Sequence, residues 1–214
     1  MKPDYWLERW QLGRIGFHRD AANPRLIEQR AFFNDCLRVL VPLCGKSHDL
    51  EWLAIHGLEV VGIELSDVAA RAFFEERGLQ AERREQGRFT AYQHGQVTIL
   101  VGDFFDASAE ELGHFDAAYD RAATIALPDE LRARYAAKLR TLLGPKAKLL
   151  LVTLYYDAVG GPPFSVSEPE VRQAYSGCLI TTLASVDARD ESPGPIERGA
   201  SFVRENVYGI VLPE

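Results

Sequence analysis

Glu64 stands 21 positions after Leu43, which opens a tight turn containing Gly45. An apolar run, Val39 to Leu43, leads into the turn, and a second, Leu58 to Ile63, leads into the acid. An acid at the tip of a second strand, about 20 residues past the first turn, is where α/β folds hydrogen-bond a ribose. A carboxylate suits that task because it accepts from two vicinal hydroxyls at once. The chemistry implied is recognition of an adenosine-containing molecule. Asp103, after the apolar segment Val97 to Val101, is placed to accept from an adenine amino group, with Phe104 packed on the ring. The competing reading has Asp103 cap a turn and Phe104 join the core.

Two nucleotide motifs fail on inspection. Gly45-Lys46-Ser47 resembles the end of a triphosphate loop, but that loop needs a glycine five positions earlier, where Leu40 stands. The dinucleotide fingerprint needs three glycines for close approach to a pyrophosphate, and only Gly45 is present. Tyr135 and Lys138 are three apart, so the Tyr-x-x-x-Lys pair of hydride chemistry is missing too. An adenosine ligand without phosphates points to S-adenosylmethionine (SAM). Its ammonium can be held by the backbone carbonyl of Leu43.

Arg121 follows Asp120 at a strand end. Neighbouring residues pair awkwardly, so the guanidinium is expected to enter the cleft and bind a carboxylate or an anionic acceptor, a structural salt bridge being the alternative. Trp6 and Trp10 share a helical face, and Gly13 and Gly16 break the segment after them. Such a helix either packs into the core or covers the strand rim as a lid. As a lid its rings would exclude water and favour a sulfonium by cation–π attraction of ~0.5–2 kcal/mol. Phe17 would extend that wall toward the acceptor. Lys46 reads as a solvated turn residue, and Cys44 as a small buried hydrophobe.

Methyl transfer requires acceptor, methyl and sulfur in line. Positioning supplies ~7–11 kcal/mol, whereas a general base contributes only ~10²–10⁴-fold. A heterocyclic thiol arrives substantially ionised, so no base is nominated. The histidines (His18, His48, His56, His94, His114) lack metal-ligand spacing, and no metal is expected. Only His18, beside Phe17, invites a functional test.

The elements that must position these residues alternate. Strands are expected at Val39 to Leu43, Leu58 to Ile63, Phe115 to Tyr119 and Lys148 to Tyr155, with a hairpin at Phe89 to Gln93 and Val97 to Val101. Two more, near Leu179 to Val186 and Phe202 to Leu212, flank a polar loop from Asp187 to Gly199. Helices start at Asn23-Pro24, at Ser47 or Asp49, at Ser66-Asp67 and at Pro128, and another spans Glu168 to Tyr175. The pattern predicts an α/β, Rossmann-like, seven-stranded, mostly parallel sheet with an antiparallel C-terminal strand and helices on both faces. Ligands in such sheets sit beyond the carboxyl ends of the strands, which gathers Leu43, Glu64, Asp103 and Asp120-Arg121 on one rim.

The chain has 214 residues, enough for a single domain, with residues 1–35 as a helical cover and 36–214 as the sheet core. A net charge of -7 without a basic stripe argues against nucleic acid as a partner. Three irregularly spaced cysteines fit a reducing compartment. The start lacks a signal peptide and the longest apolar run, Leu149 to Tyr156, is too short for a membrane span, so a cytoplasmic protein is expected.

Six segments taken together resemble a known family. Trp6-Leu-Glu-Arg-Trp10, Ile15-Gly-Phe17-His18, Val41-Pro-Leu-Cys-Gly-Lys-Ser47, Gly62-Ile-Glu-Leu-Ser66, Gly102-Asp-Phe-Phe105 and Tyr119-Asp-Arg-Ala-Ala123 are similar to the bacterial thiopurine S-methyltransferases, in order from the N-terminus to about Phe164. The resemblance implies a monomeric, SAM-dependent enzyme that methylates an aromatic or heterocyclic thiol, and for bacterial relatives also selenium and tellurium compounds. It implies SAM contacts at Trp10, Leu43, Glu64 and Arg121, with Trp6, Phe17, Asp103 and Phe104 around them and Gly45 in the turn. Arg121 and Phe17 are then the residues expected to position the acceptor. Two other classes compete: a non-catalytic SAM-binding regulator, and an NAD(P)-dependent oxidoreductase, which the missing glycines disfavour.

Overall fold

The computed structural model describes residues 3–214. In chain order its strands are β1 (Arg38–Pro42), β2 (Glu59–Glu64), β3 (Glu82–Gln86), β4 (Phe89–His94), β5 (Val97–Val101), β6 (Phe115–Asp120), β7 (Leu143–Tyr156), β8 (Leu179–Asp187) and β9 (Val203–Val211). The helices are α1 (Pro3–Gln11), α2 (Pro24–Glu28), α3 (His48–Ile55), α4 (Asp67–Glu75), α5 (Ala109–Leu112), α6 (Ala123–Ala126), α7 (Asp129–Leu142), α8 (Glu168–Ala174) and α9 (Pro193–Glu197).

One sheet runs in the order β3-β4-β5-β2-β1-β6-β7-β9-β8. The five central strands, β5 to β7, pair in parallel. β9 is antiparallel to both β7 and β8. The α/β class and the antiparallel C-terminal strand match the expectation, but the sheet has nine strands rather than seven. The addition is at the other edge, where β4 pairs antiparallel with β5 and β3 with β4. β3 reads Glu-Arg-Arg-Glu-Gln and is mostly exposed, so no apolar alternation marks it. Its ladder to β4 makes it a strand, and charged side chains suit an edge that must not recruit another chain.

Alternation sends successive side chains of the central strands to opposite faces. Val39, Val41, Val60, Ile99, Tyr119 and Val152 meet Leu26, Leu50, Leu53 and Phe73 from α2, α3 and α4. Leu40, Val61, Leu100, Leu149 and Leu151 meet Tyr135, Leu139, Leu142, Val171 and Tyr175 from α7 and α8. Both faces are covered, which is why these strands are near-continuous apolar runs.

Helix starts follow the caps expected from sequence. Asn23, Ser47 and Ser66 accept from Arg25, Asp49 and Ala69 backbone N–H groups. Pro128 sits just outside α7 with an extended ψ of 157°, so that helix begins at Asp129. α9 was hidden in the loop read from Asp187 to Gly199; its residues Pro-Gly-Pro-Ile-Glu carry no helical periodicity. No described helix is long and apolar enough to cross a membrane.

Candidate functional site

The carboxyl ends of β5, β2, β1, β6 and β7 share one rim. Because β9 is antiparallel, its beginning lies at that same rim, with Glu205 opposite Leu154. A cavity of about 860 Å³ lies above it, bounded by the first turn, β2, β6, β7 and β9, and by α1 with the segment after it. Trp6, Trp10, Phe17, Leu43, Gly45, Glu64, Asp103, Phe104 and Arg121 all line this one cavity, so every site residue expected from sequence is brought together.

The first turn is built around two left-handed residues. Leu43 has φ 50° and Gly45 φ 55°. A leucine in that region is uncommon and mildly strained, and such residues concentrate at ligand sites. Glycine at 45 has a second reason: an added Cβ would sit 3.0 Å from the indole of Trp10. The cover helix therefore rests directly on the turn.

Glu64 is buried, and both of its oxygens are already engaged. Oε2 accepts from the Gly45 N–H at 2.8 Å and Oε1 from the Ser66 N–H at 2.8 Å. A carboxylate offers about four acceptor positions, so two remain for a diol. Burial raises its pKa, while the backbone N–H groups of Ser66, Gly45 and Leu65 pull it back down. The acid thus ties the first turn to the end of β2.

Aromatic rings form the cover. Trp6 and Trp10 each meet Phe17 edge to face, at 5.5 and 5.6 Å. Trp10 is buried, Trp6 half-buried and Phe17 40% exposed, as befits a wall that borders the cavity. Trp10 is packed within the cover, and both tryptophans border the cavity.

At the β5 end Asp103 is exposed and its Oδ1 accepts from the Phe105 N–H at 2.9 Å, so it caps a short 3-10 turn. Phe104 is buried against Tyr135, ring centroids 5.0 Å apart. These are the structural roles weighed against ligand contact in the sequence; the two residues nonetheless border the cavity.

Asp120 and Arg121 point apart. Asp120 is fully buried and accepts from the Ala123 and Thr124 N–H groups, the Thr124 hydroxyl and the Tyr135 hydroxyl at 2.6–3.1 Å. Burial raises its pKa against those four donors. Arg121 is half-buried and faces the cavity on the other side of the strand, with no ion pair to a described residue. The salt-bridge alternative for Arg121 is not realised.

Three further expectations are revised or sharpened. Lys46 is not solvated: it is buried, and its Nζ donates to Glu76 at 2.5 and 2.7 Å, which holds the Glu76 carboxyl below its usual range. Cys44 is a packing residue. Its Sγ would lie 2.6 Å from a Cβ added at Gly62, and burial, then the nearby Glu64, raises its thiol pKa well above the ordinary value. His18 lines the cavity and stacks on His48 at 5.8 Å; burial first, then Lys46, lowers its pKa.

Sequence reasoning missed the far end of the cavity. Thr153, Glu205, Pro162, Pro163, Pro193 and Pro195 line it, from β7, β9, the segment after β7 and α9. Glu205 offered no signal in the sequence: it stands between Arg204 and Asn206 in the polar start of β9, and only the structure shows that it is buried.

Comparison with known proteins identifies the family and the fold. A family model described as Thiopurine S-methyltransferase (TPMT) matches residues 1–211, well past Phe164 where the sequence motifs end. The chain is 45% identical over 214 residues to a thiopurine S-methyltransferase of Pseudomonas putida (strain KT2440), covering 98% of this chain and 99% of that protein. It is 45% identical over 219 residues to a protein of the same name from Pseudomonas fluorescens (strain SBW25), covering 99% and 100%. Among solved structures, a SAM-dependent methyltransferase from Anabaena variabilis superposes with a TM-score of 0.66 at 12% identity, covering 99% of this chain and 95% of that one. Burkholderia thailandensis 1,6-didemethyltoxoflavin-N1-methyltransferase, with its substrate and S-adenosylhomocysteine bound, gives 0.65 at 16% identity, covering 99% and 87%. At such identities the two structures establish the shared fold.

Proposed function

The chain belongs to the thiopurine S-methyltransferase family, and from that membership we propose that it moves a methyl group from SAM to an aromatic or heterocyclic thiol. Its cofactor is SAM, which when bound supplies a methyl on a positively charged sulfur. The observation that carries the reading is Glu64, a buried carboxylate fixed by two backbone N–H groups with acceptor capacity left over, at the edge of a cavity closed by Trp6, Trp10 and Phe17. No phosphate-binding loop accompanies it.

In this reading Glu64 accepts from the ribose diol, and the Leu43 and Gly45 turn meets the amino acid tail. Phe104 borders the adenine, with the free oxygen of Asp103 beside it. Trp6 and Trp10 exclude water and favour the cation. Arg121, unpaired by protein, binds the carboxylate of the cofactor or an anionic acceptor. Phe17, Pro162, Pro163 and the prolines of α9 shape an apolar mouth for a flat ring. The residues contribute by holding two reactants in line, and an acceptor that arrives as a thiolate needs no strong general base. A cytoplasmic monomer acting on small molecules, selenium or tellurium compounds included, belongs to the same proposal.

Titration calorimetry is expected to show S-adenosylhomocysteine binding and no heat with NAD(P), and radiolabelled SAM is expected to label a heterocyclic thiol. Binding without turnover on a panel of thiols would leave a SAM-binding regulator in place of an enzyme.

A further inference from the structure

Glu205 is a further buried carboxylate on the rim, and unlike Glu64 and Asp120 it has been given no work above. It lies at the start of β9, opposite Leu154, at the far end of the cavity from Glu64. β1, β6 and β7 stand between their strands. At ~4.8 Å per strand the two acids are roughly 19 Å apart, so an adenosine held at Glu64 leaves the Glu205 end for the acceptor.

Glu205 is 8% exposed, and one oxygen, Oε2, accepts from the Arg25 Nε at 3.2 Å. That guanidinium is shared, because its Nη1 also donates to both oxygens of Glu28 at 2.6–2.7 Å. One cation thus serves two carboxylates. No described residue donates to Oε1 of Glu205, while the residue borders the cavity. Buried polar capacity of this kind is costly unless something meets it.

We propose that Glu205 is a specificity-determining residue that accepts a ring N–H of the acceptor, selecting heterocyclic thiols that exist as the thione tautomer. This rests on the methyltransferase reading above. In such a ring the sulfur is C=S and the adjacent nitrogen carries hydrogen. A carboxylate drawing on that N–H pushes electron density onto sulfur, which a thiol already present as thiolate does not need. As the new S–CH₃ bond forms, the sulfonium–CH₃ bond breaks. The N–H electron pair becomes the ring C=N bond, and the proton passes along the hydrogen bond to Glu205. Products are the S-methyl heterocycle, S-adenosylhomocysteine and one proton.

The test compares two acceptors. Pyridine-2-thione has the N–H; 4-nitrothiophenol has none. In Glu205→Leu, kcat/KM for the thione is expected to fall on the order of 10- to 100-fold, the loss of a hydrogen bond to a charged group, while the nitrothiophenol stays within about threefold. Glu205→Gln keeps the volume and one acceptor oxygen and is expected to lose less. Calorimetry with the S-adenosylhomocysteine complex is expected to show weaker thione binding in both variants and unchanged affinity for S-adenosylhomocysteine itself. Equal losses on both acceptors, or no selective loss in either variant, overturn the inference and leave the methyltransferase reading standing. A wild-type protein that methylates neither compound overturns both.

Discussion

The two ends of the rim are built from different materials. At β1 and β2 the fixed points are backbone: two left-handed residues in the first turn and two N–H groups clamping Glu64. At β6 and β9 they are side chains with capacity to spare: Arg121 without an ion pair among the described residues, and Glu205 with one oxygen held. A backbone-built site is set by local chain geometry and accepts one shape. A side-chain site can be retuned by single substitutions while the sheet beneath it stays the same. In the proposed reading the invariable reactant faces the first end and the variable one the second.

The strongest test of this contrast is Glu64→Ala. It removes the diol acceptor and releases the turn together, so S-adenosylhomocysteine is expected to bind about 2–5 kcal/mol more weakly by calorimetry. Unchanged affinity would break the comparison at its firmer end. Arg121→Ala is expected to lower kcat/KM by ~10–100-fold for an anionic acceptor, the loss of a charge-assisted hydrogen bond, with the urea midpoint barely moved because the side chain holds no structural partner. A large stability loss would mean that the second end is as structural as the first.

A smaller effect is expected from Gly45→Ala. The left-handed φ costs a Cβ-bearing residue ~1–2 kcal/mol, and the new methyl presses on Trp10. Thermal unfolding should register that cost, and tryptophan fluorescence should report a displaced cover. The least is expected from pH. Burial raises the Glu64 pKa above its ordinary 4.5, so the native state keeps this proton where the unfolded chain has lost it. Its contribution to stability therefore declines as pH rises from about 4.5 through the folded value, and stays reduced above it. Glu64→Gln lacks that decline, so its urea midpoint should gain on wild type between about pH 4 and pH 7. A constant difference across that range would show that the folded chain does not hold the Glu64 proton more tightly than the unfolded one.

The first end was legible in the sequence for the same reason that it is rigid. A turn glycine, an acid 21 positions on, and caps at Ser47 and Ser66 are local signals that need no tertiary partner to be read. Arg121 was legible because its neighbour could not pair with it. What escaped was non-local. Glu205 reaches the rim only because β9 runs antiparallel to β7, and no spacing in the chain links residues 205 and 64. β3 escaped because its identity lies in its ladder to β4 and not in its charged side chains. Lys46 was misread because its partner, Glu76, comes from the end of a helix 30 residues away.

The strand order has a consequence for synthesis. β9 follows β8 in the chain but lies between β7 and β8, so β8 has no neighbour to pair with until β9 is made. On the ribosome the end of the sheet around Glu64 can close early, while the end around Glu205 waits for the final strand. Nascent chains stalled before Val203 should therefore remain open to protease across Leu179–Asp187 while resisting it at β1 and β2; protection of both regions alike would show that the order of emergence does not matter.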